Sequence, residues 1–314
     1  MRKFLAISTT AILLASCGGN DASDISAKAA ATADAAYNDA LGSDTTYIAK
    51  PEFDAAKLET ILDAQPDTVK TRYASRNPAE TLEFFGITPG MAVGEALPGG
   101  GWYTKILAPY LGKDGTLVGI DYSIDMWPEF TFANEAFIES KKKWPEEFVA
   151  KSAEWAPVDG PNIAATTFGA PAGNMAGQLD AIIFIRAIHN LSRFENEGEY
   201  LTRAMKSSYD LLKPGGLAGV VQHRAPADWD DNAANGSAGY MKQSTVIAAF
   251  DAAGFDLVKS SEINANPKDQ PVAGEDGVWR LPPSLNGVGD DEALKAERMA
   301  IGETDRMTLL FKKR

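Results

Sequence analysis

Residues 91–123 (MAVGEALPGGGWYTKILAPYLGKDGTLVGIDYS) constrain this chain more than any other stretch, because they read as strand, glycine turn, helix, strand and acid in unbroken order. An apolar strand over 91–96 runs into Pro98-Gly99-Gly100-Gly101, where missing β-carbons let the backbone turn tightly and approach a ligand. Residues 102–110 carry Ile106, Leu107 and Tyr110 at helical spacing, so the first N–H groups of the predicted helix point back at the turn. Leu111-Gly112 ends that helix. A second apolar strand over 116–120 leads to Asp121, twenty positions after Gly101, where a carboxylate at the neighbouring strand tip can accept both ribose hydroxyls. The unit reads as a site for an adenosine-type cofactor.

What the turn lacks narrows the choice. A dinucleotide turn follows G-x-G-x-x-G, with its last glycine inside the helix and the pyrophosphate on the helix amino terminus. Here Trp102, Tyr103 and Thr104 follow Gly101. A phosphate loop laid on Gly94 to Gly99 meets Gly100 and Gly101 where Lys and Ser/Thr belong. Phosphate is therefore poorly provided for. There remain Glu95 in the strand, Gly99 and Gly101 in the turn, and Asp121 beyond it.

The flanking sequence continues the alternation of strands and helices. Asn77-Pro78-Ala79-Glu80 opens an amphipathic helix with Leu82, Phe84 and Phe85, and Ile87-Thr88-Pro89-Gly90-Met91 leads into the first strand. Residues 179–185 read as a strand, with a continuous apolar run after the acid Asp180, as expected of a parallel strand buried on both faces. A predicted helix over about 195–212 runs into Lys213-Pro214-Gly215-Gly216 and a further strand over 217–221. Residues 243–253 read as a helix, 255–258 as a sixth strand and 307–311 as a last one.

This set resembles the class I S-adenosylmethionine-dependent methyltransferases, and within them a bacterial group of predicted methyltransferases. The resemblance rests on Glu95, Gly99, Gly101 and Asp121, on the Asn77-Pro78-Ala79-Glu80 opening, on Leu212-Lys213-Pro214-Gly215-Gly216, and on Asp305-Arg306 before the last strand. It implies an α/β fold: a three-layer, Rossmann-like, doubly wound sheet of seven strands, mostly parallel, with an antiparallel C-terminal edge strand. It also implies an enzyme that uses S-adenosylmethionine, with Glu95 on the ammonium side of the cofactor, Asp121 on the ribose, and Tyr103 and Tyr122 beside them. Leu97 stands where the family usually has its first glycine, and Thr166-Thr167-Phe168 where it often has an acid for the adenine amine.

The residues that would face a methyl acceptor lie after later strands. His189 follows the fourth strand and His223 the fifth, where the carboxyl ends of strands open onto the ligand crevice of such a sheet. A neutral imidazole there can take a proton, His189 being the stronger candidate for the base; the bland alternative is that both bond loop backbone. Arg224, and less clearly Arg186, can clamp an acceptor carboxylate or phosphate, or else pair with one of the many acids. Two long connections, 127–155 with its aromatic residues and 264–304 with its Pro, Gly and acids, read as insertions that act as lids or binding elements. The triplet Lys141-Lys142-Lys143 reads as solvated helix surface.

Composition bounds the partners. The chain of 314 residues has a formal net charge of −13 and no basic face apparent in its sequence, which disfavours nucleic acid and leaves a small-molecule acceptor. Met1-Arg2-Lys3, an apolar stretch over 4–14, and Leu14-Ala15-Ser16-Cys17 read as a signal peptide (1–17) ending in a lipobox, with Cys17 as the lipidated residue. Cys17 is the only cysteine, so neither an internal disulfide nor a thiolate zinc cluster exists. Residues 18–50, poor in large apolar groups, read as a flexible tether, and 51–314 as one methyltransferase-like domain. The expected place is the cell envelope, on the periplasmic side, with membrane contact only through the lipid at Cys17; without a working signal it is the cytoplasm. Two other readings stay open: a catalytically silent envelope lipoprotein that holds a nucleoside-like ligand, and a nucleotide-dependent oxidoreductase.

Overall fold

The computed structural model describes residues 52–314, apart from 275–276, 279–284 and 286. Cys17, the signal and tether, and Trp279 to Pro283 of the second long connection lie outside the described residues. Seven strands form one sheet: β1 Ala92–Ala96, β2 Thr116–Asp121, β3 Asn162–Thr167, β4 Leu179–Ile185, β5 Leu212–His223, β6 Phe255–Ser261 and β7 Arg306–Lys313. Their order is β3-β2-β1-β4-β5-β7-β6. β3 to β5 across the centre pair in parallel, and β7 runs antiparallel to both β5 and β6. The antiparallel C-terminal strand thus enters one place in from the edge, so that side of the sheet is the β7–β6 pair. This is the Rossmann-like, doubly wound architecture, with the reversal of winding at β1 and β4.

Strand alternation builds two cores. In β2, β4 and β7, Ile120, Ile182, Phe184, Leu309 and Phe311 face one side, while Leu117, Ala181, Ile183 and Leu310 face the other. Helices α1 Ala55–Asp63, α2 Pro78–Phe84 and α3 Thr104–Leu111 cover the second side through Leu58, Leu82, Ile106 and Leu107. After β2 come α4 Glu135–Lys142 and α5 Trp144–Ala153, and after β4 comes α6 His189–Arg193. Helices α7 Tyr200–Leu211 and α8 Gln243–Ala252 cover the first side through Leu201, Met205, Val246 and Phe250. Among the described residues no helix is long and apolar enough to cross a membrane.

Two details differ from the sequence reading. Leu212 to Gly216 is the beginning of β5 rather than a separate turn; the register with β4 slips between Leu179 and Ala181, so the extra residues bulge without ending the strand. The connection over 127–155 is also not wholly an insertion. Parallel β2 and β3 need a crossover, and α5 supplies it, with Phe148 lying where a β-carbon on Gly119 would fall, 2.6 Å away.

Candidate functional site

The crevice forms at the carboxyl ends of β1, β2, β4 and β5. β1 ends at Ala96, and Leu97 follows with φ +51°, a left-handed conformation that costs a residue with a β-carbon roughly 1–2 kcal/mol. Its N–H donates to the Ile120 carbonyl at 2.7 Å, so the backbone keeps the bend a glycine would take while Leu97 packs against the first core. Gly99 and Gly101 also have positive φ, +56° and +73°. Gly99 has little near it. Gly101 does not: a β-carbon there would sit 2.3 Å from the Trp155 ring. The expectation that Gly101 lets backbone approach a ligand is corrected accordingly, since the missing side chain admits Trp155.

Glu95 is 4% exposed and accepts a 2.6 Å bond from the Thr104 hydroxyl at the start of α3. Burial pushes its carboxyl up to about 7, against the opposing pull of the bonds from Thr104. A buried carboxyl that titrates near neutrality beside a glycine turn can meet a ligand cation at modest cost. Tyr103, expected to line the cofactor pocket, turns the other way. Its ring joins the second core, its hydroxyl donates to the Arg76 carbonyl at 3.4 Å, and burial lifts its phenol to about 12.

Asp121 sits at the tip of β2 and is 6% exposed. One carboxylate oxygen accepts the Tyr122 N–H at 2.9 Å; the other accepts Lys141 Nζ at 3.0 Å. Burial raises the Asp121 carboxyl, and the Lys141 charge offsets only part of that. Lys141 is therefore not solvated surface, as the triplet reading had it. It comes from α4, crosses the Trp127 ring at 4.2 Å, and lies against Phe137. Tyr122 packs edge-on to Trp127 at 5.1 Å and takes a hydrogen bond from the Asn190 amide at 3.1 Å. The residues that sequence reasoning missed here are Lys141, Trp155, Thr104 and Asn190. The only hint lay in Phe137 and Lys141 being four apart, hence on one helix face.

His189 opens α6 and His223 ends β5, and the structure brings their rings to 5.7 Å. His223 is 2% exposed, with Nδ1 at 2.6 Å from the Thr304 hydroxyl; His189 is half-buried. The pair thus divides into a buried imidazole held by Thr304 and a more accessible one. Arg224, read either as a clamp for an acceptor anion or as a partner of the acids, is paired with acids. Its Nε and one terminal nitrogen grip Asp305 at 2.8 and 3.1 Å, and both terminal nitrogens grip Glu262 at 2.9 and 2.6 Å. These two carboxylates push its already high value further up. Arg224 ties β5 to β6 and to the approach to β7.

No protein-family model matches the chain, and no curated protein does. Solved structures that match the chain include S-adenosylmethionine-dependent methyltransferases. One from Aquifex aeolicus is 17% identical over 68% of this chain and 94% of its own, with a TM-score of 0.40. An arsenic(III) S-adenosylmethionine methyltransferase from Chlamydomonas reinhardtii is 14% identical over 84% of this chain and 74% of its own, at 0.44. One from Mesorhizobium loti is 12% identical over 80% of this chain and its whole length, at 0.42.

Proposed function

We propose that this chain is an S-adenosylmethionine-dependent methyltransferase acting on a small molecule. The observation that carries the reading is the pair of buried carboxylates, Glu95 and Asp121, at the tips of adjacent strands on either side of a glycine turn in the β3-β2-β1-β4-β5-β7-β6 sheet. The cofactor offers an ammonium and a ribose diol, and one carboxylate for each fits that donor set. Bound there, it would supply an electrophilic methyl group. Glu95 would hold the ammonium side, the backbone at Gly99 would lie along it, and Asp121 would take the ribose hydroxyls. Tyr122, packed with Trp127 and bonded by Asn190, would wall the adenine end and keep water out. His189 would accept the proton an acceptor loses, with His223, held by Thr304, 5.7 Å away.

Lys141 already engages one oxygen of Asp121, and Trp155 occupies the face of Gly101. These two contacts favour a second reading, a silent fold whose crevice is filled by its own side chains. We place the protein on the envelope side of the membrane through Cys17, an inference from the lipobox string alone. Differential stabilisation separates the readings. S-adenosylhomocysteine at ten to a hundred times its Kd is expected to raise the melting temperature by several degrees, with about 1.4–2.7 kcal/mol of added stability. NAD is expected to leave it unchanged. A shift with NAD alone would move the assignment to an oxidoreductase, and no shift with either ligand would favour the silent fold.

A further inference from the structure

Arg72, Arg76 and Arg306 converge on one carboxylate, Glu303. Arg72 reaches it at 3.1 Å, Arg306 at 2.9 Å, and the Arg76 Nε lies 3.5 Å away. All four side chains are sequestered: Arg76 is 6% exposed, Glu303 6% and Arg306 2%, and the Arg72 side chain 12%. Among the described residues three guanidiniums pair with this one acid, and Arg186 adds its charge nearby. Buried charge normally comes paired and fully hydrogen-bonded, because an uncompensated ion gives up its hydration for nothing.

The bonding is incomplete as well as the charge. The Nε–H groups of Arg76 and Arg306 are buried with no hydrogen-bond acceptor, and so is the indole N–H of Trp102, whose ring lies 4.6 Å under the Arg76 guanidinium. Burial lowers the Arg76 guanidinium below its ordinary value, and Arg72 and Arg306 add to that while Glu303 opposes it. Glu303 shows the other side of the balance. Burial alone would raise its carboxyl, yet Arg306, Arg76, Arg186 and Arg72 together hold it below the usual range. One acid, already fully ionised, cannot neutralise what surrounds it.

The cluster also stands beside the candidate reaction site. Trp102 and Tyr103 directly follow the glycine turn, and Tyr103 bonds the Arg76 carbonyl. Glu303 neighbours Thr304, which holds His223, and Arg306 is the β7 residue in register with His223. A group seated on the guanidiniums would leave the rest of its molecule next to the histidine pair. We propose that Arg72, Arg76 and Arg306, with the Trp102 indole, form an oxyanion site that binds the carboxylate or phosphate of an acidic methyl acceptor. As a statement about the acceptor this rests on the methyltransferase reading; as a statement about an anion site it stands without it.

Inorganic phosphate titrated into the full-length protein at constant ionic strength, with chloride as the balancing anion, tests the site. Wild-type protein is expected to bind phosphate with a Kd in the millimolar range or below. Glu303→Gln removes the competing carboxylate and is expected to tighten binding at least fivefold. Arg72→Gln, the substitution at the least buried of the three arginines, is expected to weaken it at least fivefold. No phosphate binding by folded wild-type protein overturns the proposal, and so does a folded Glu303→Gln variant that binds more weakly than wild type. Repeating the titration with saturating S-adenosylhomocysteine identifies the source of the anion. Unchanged phosphate affinity supports the acceptor, whereas mutual exclusion assigns the site to the cofactor's own carboxylate and overturns the acceptor assignment. Phosphate binding by protein that takes no cofactor supports the site and removes only the methyltransferase reading.

Discussion

At the scale of single residues, the chain keeps the shape of a glycine turn with one glycine missing and keeps a carboxylate where burial makes it costly. Leu97 holds its left-handed φ because β2 accepts its N–H and the first core accepts its side chain. Glu95 has consequences that depend on pH. Its folded value of about 7 is raised above the unfolded value near 4.5, so the folded state binds the proton more tightly. The penalty for ionising it is absent below about pH 4.5, grows as pH rises, and is complete above about 7, where it amounts to about 3 kcal/mol. Glu95→Gln keeps an acceptor for Thr104 and cannot ionise. Its stability relative to wild type, measured by denaturant unfolding at pH 5 and pH 8, is therefore expected to improve by about 2.5 kcal/mol at the higher pH. Equal differences at the two values would mean that Glu95 does not titrate in this range.

At the scale of elements, the connection after β2 decides whether the crevice is open. α5 is fixed as the crossover, with Phe148 on Gly119 and Trp155 on Gly101. α4 has no fully buried side chain, and it engages the site through Lys141 and Phe137. Its Phe137 and Ile138 pack against the first core from partly buried positions. Lys141→Met keeps the aliphatic stem over Trp127 and removes the charge that competes for Asp121. Cofactor affinity is expected to rise up to about tenfold, worth about 1.4 kcal/mol, with the gain read as a lower Kd for S-adenosylhomocysteine. A Kd that worsens would make Lys141 a ligand contact instead of a latch.

What was legible in the sequence follows from range. β4 was read at its full extent because the five apolar residues 181–185 that follow Asp180 suit a strand buried on both faces, and the β1–α3–β2 unit because its glycines and spacing act within thirty residues. The positions of His189 and His223 followed from strand ends. Lys141 on Asp121 and Trp155 on Gly101 depended on how a long connection folds back, and no period records that. The arginine cluster was hidden most deeply: Arg72 meets Glu303 across 231 positions, and only the insertion of β7 beside β5 brings the carboxyl-terminal acid to the amino-terminal arginines.

At the scale of the whole molecule, one sheet carries every part of the account. β1 and β2 present the two carboxylates, β4 and β5 the two histidines, and β7 the arginine that completes the cationic cluster. The C-terminal strand is thus part of the site as well as of the core, since Thr304 and Asp305 bind His223 and Arg224 at the end of β5, while Glu303 and Arg306 bind the 72–76 segment. We propose that this sheet binds S-adenosylmethionine through Asp121. Calorimetric titration of S-adenosylmethionine and S-adenosylhomocysteine into the wild-type protein and the Asp121→Ala variant is the decisive test. Micromolar binding by wild type and a loss of at least tenfold, about 1.4 kcal/mol or more, in the folded variant are expected. Absence of binding by folded wild-type protein, or equal binding by the variant, would contradict it.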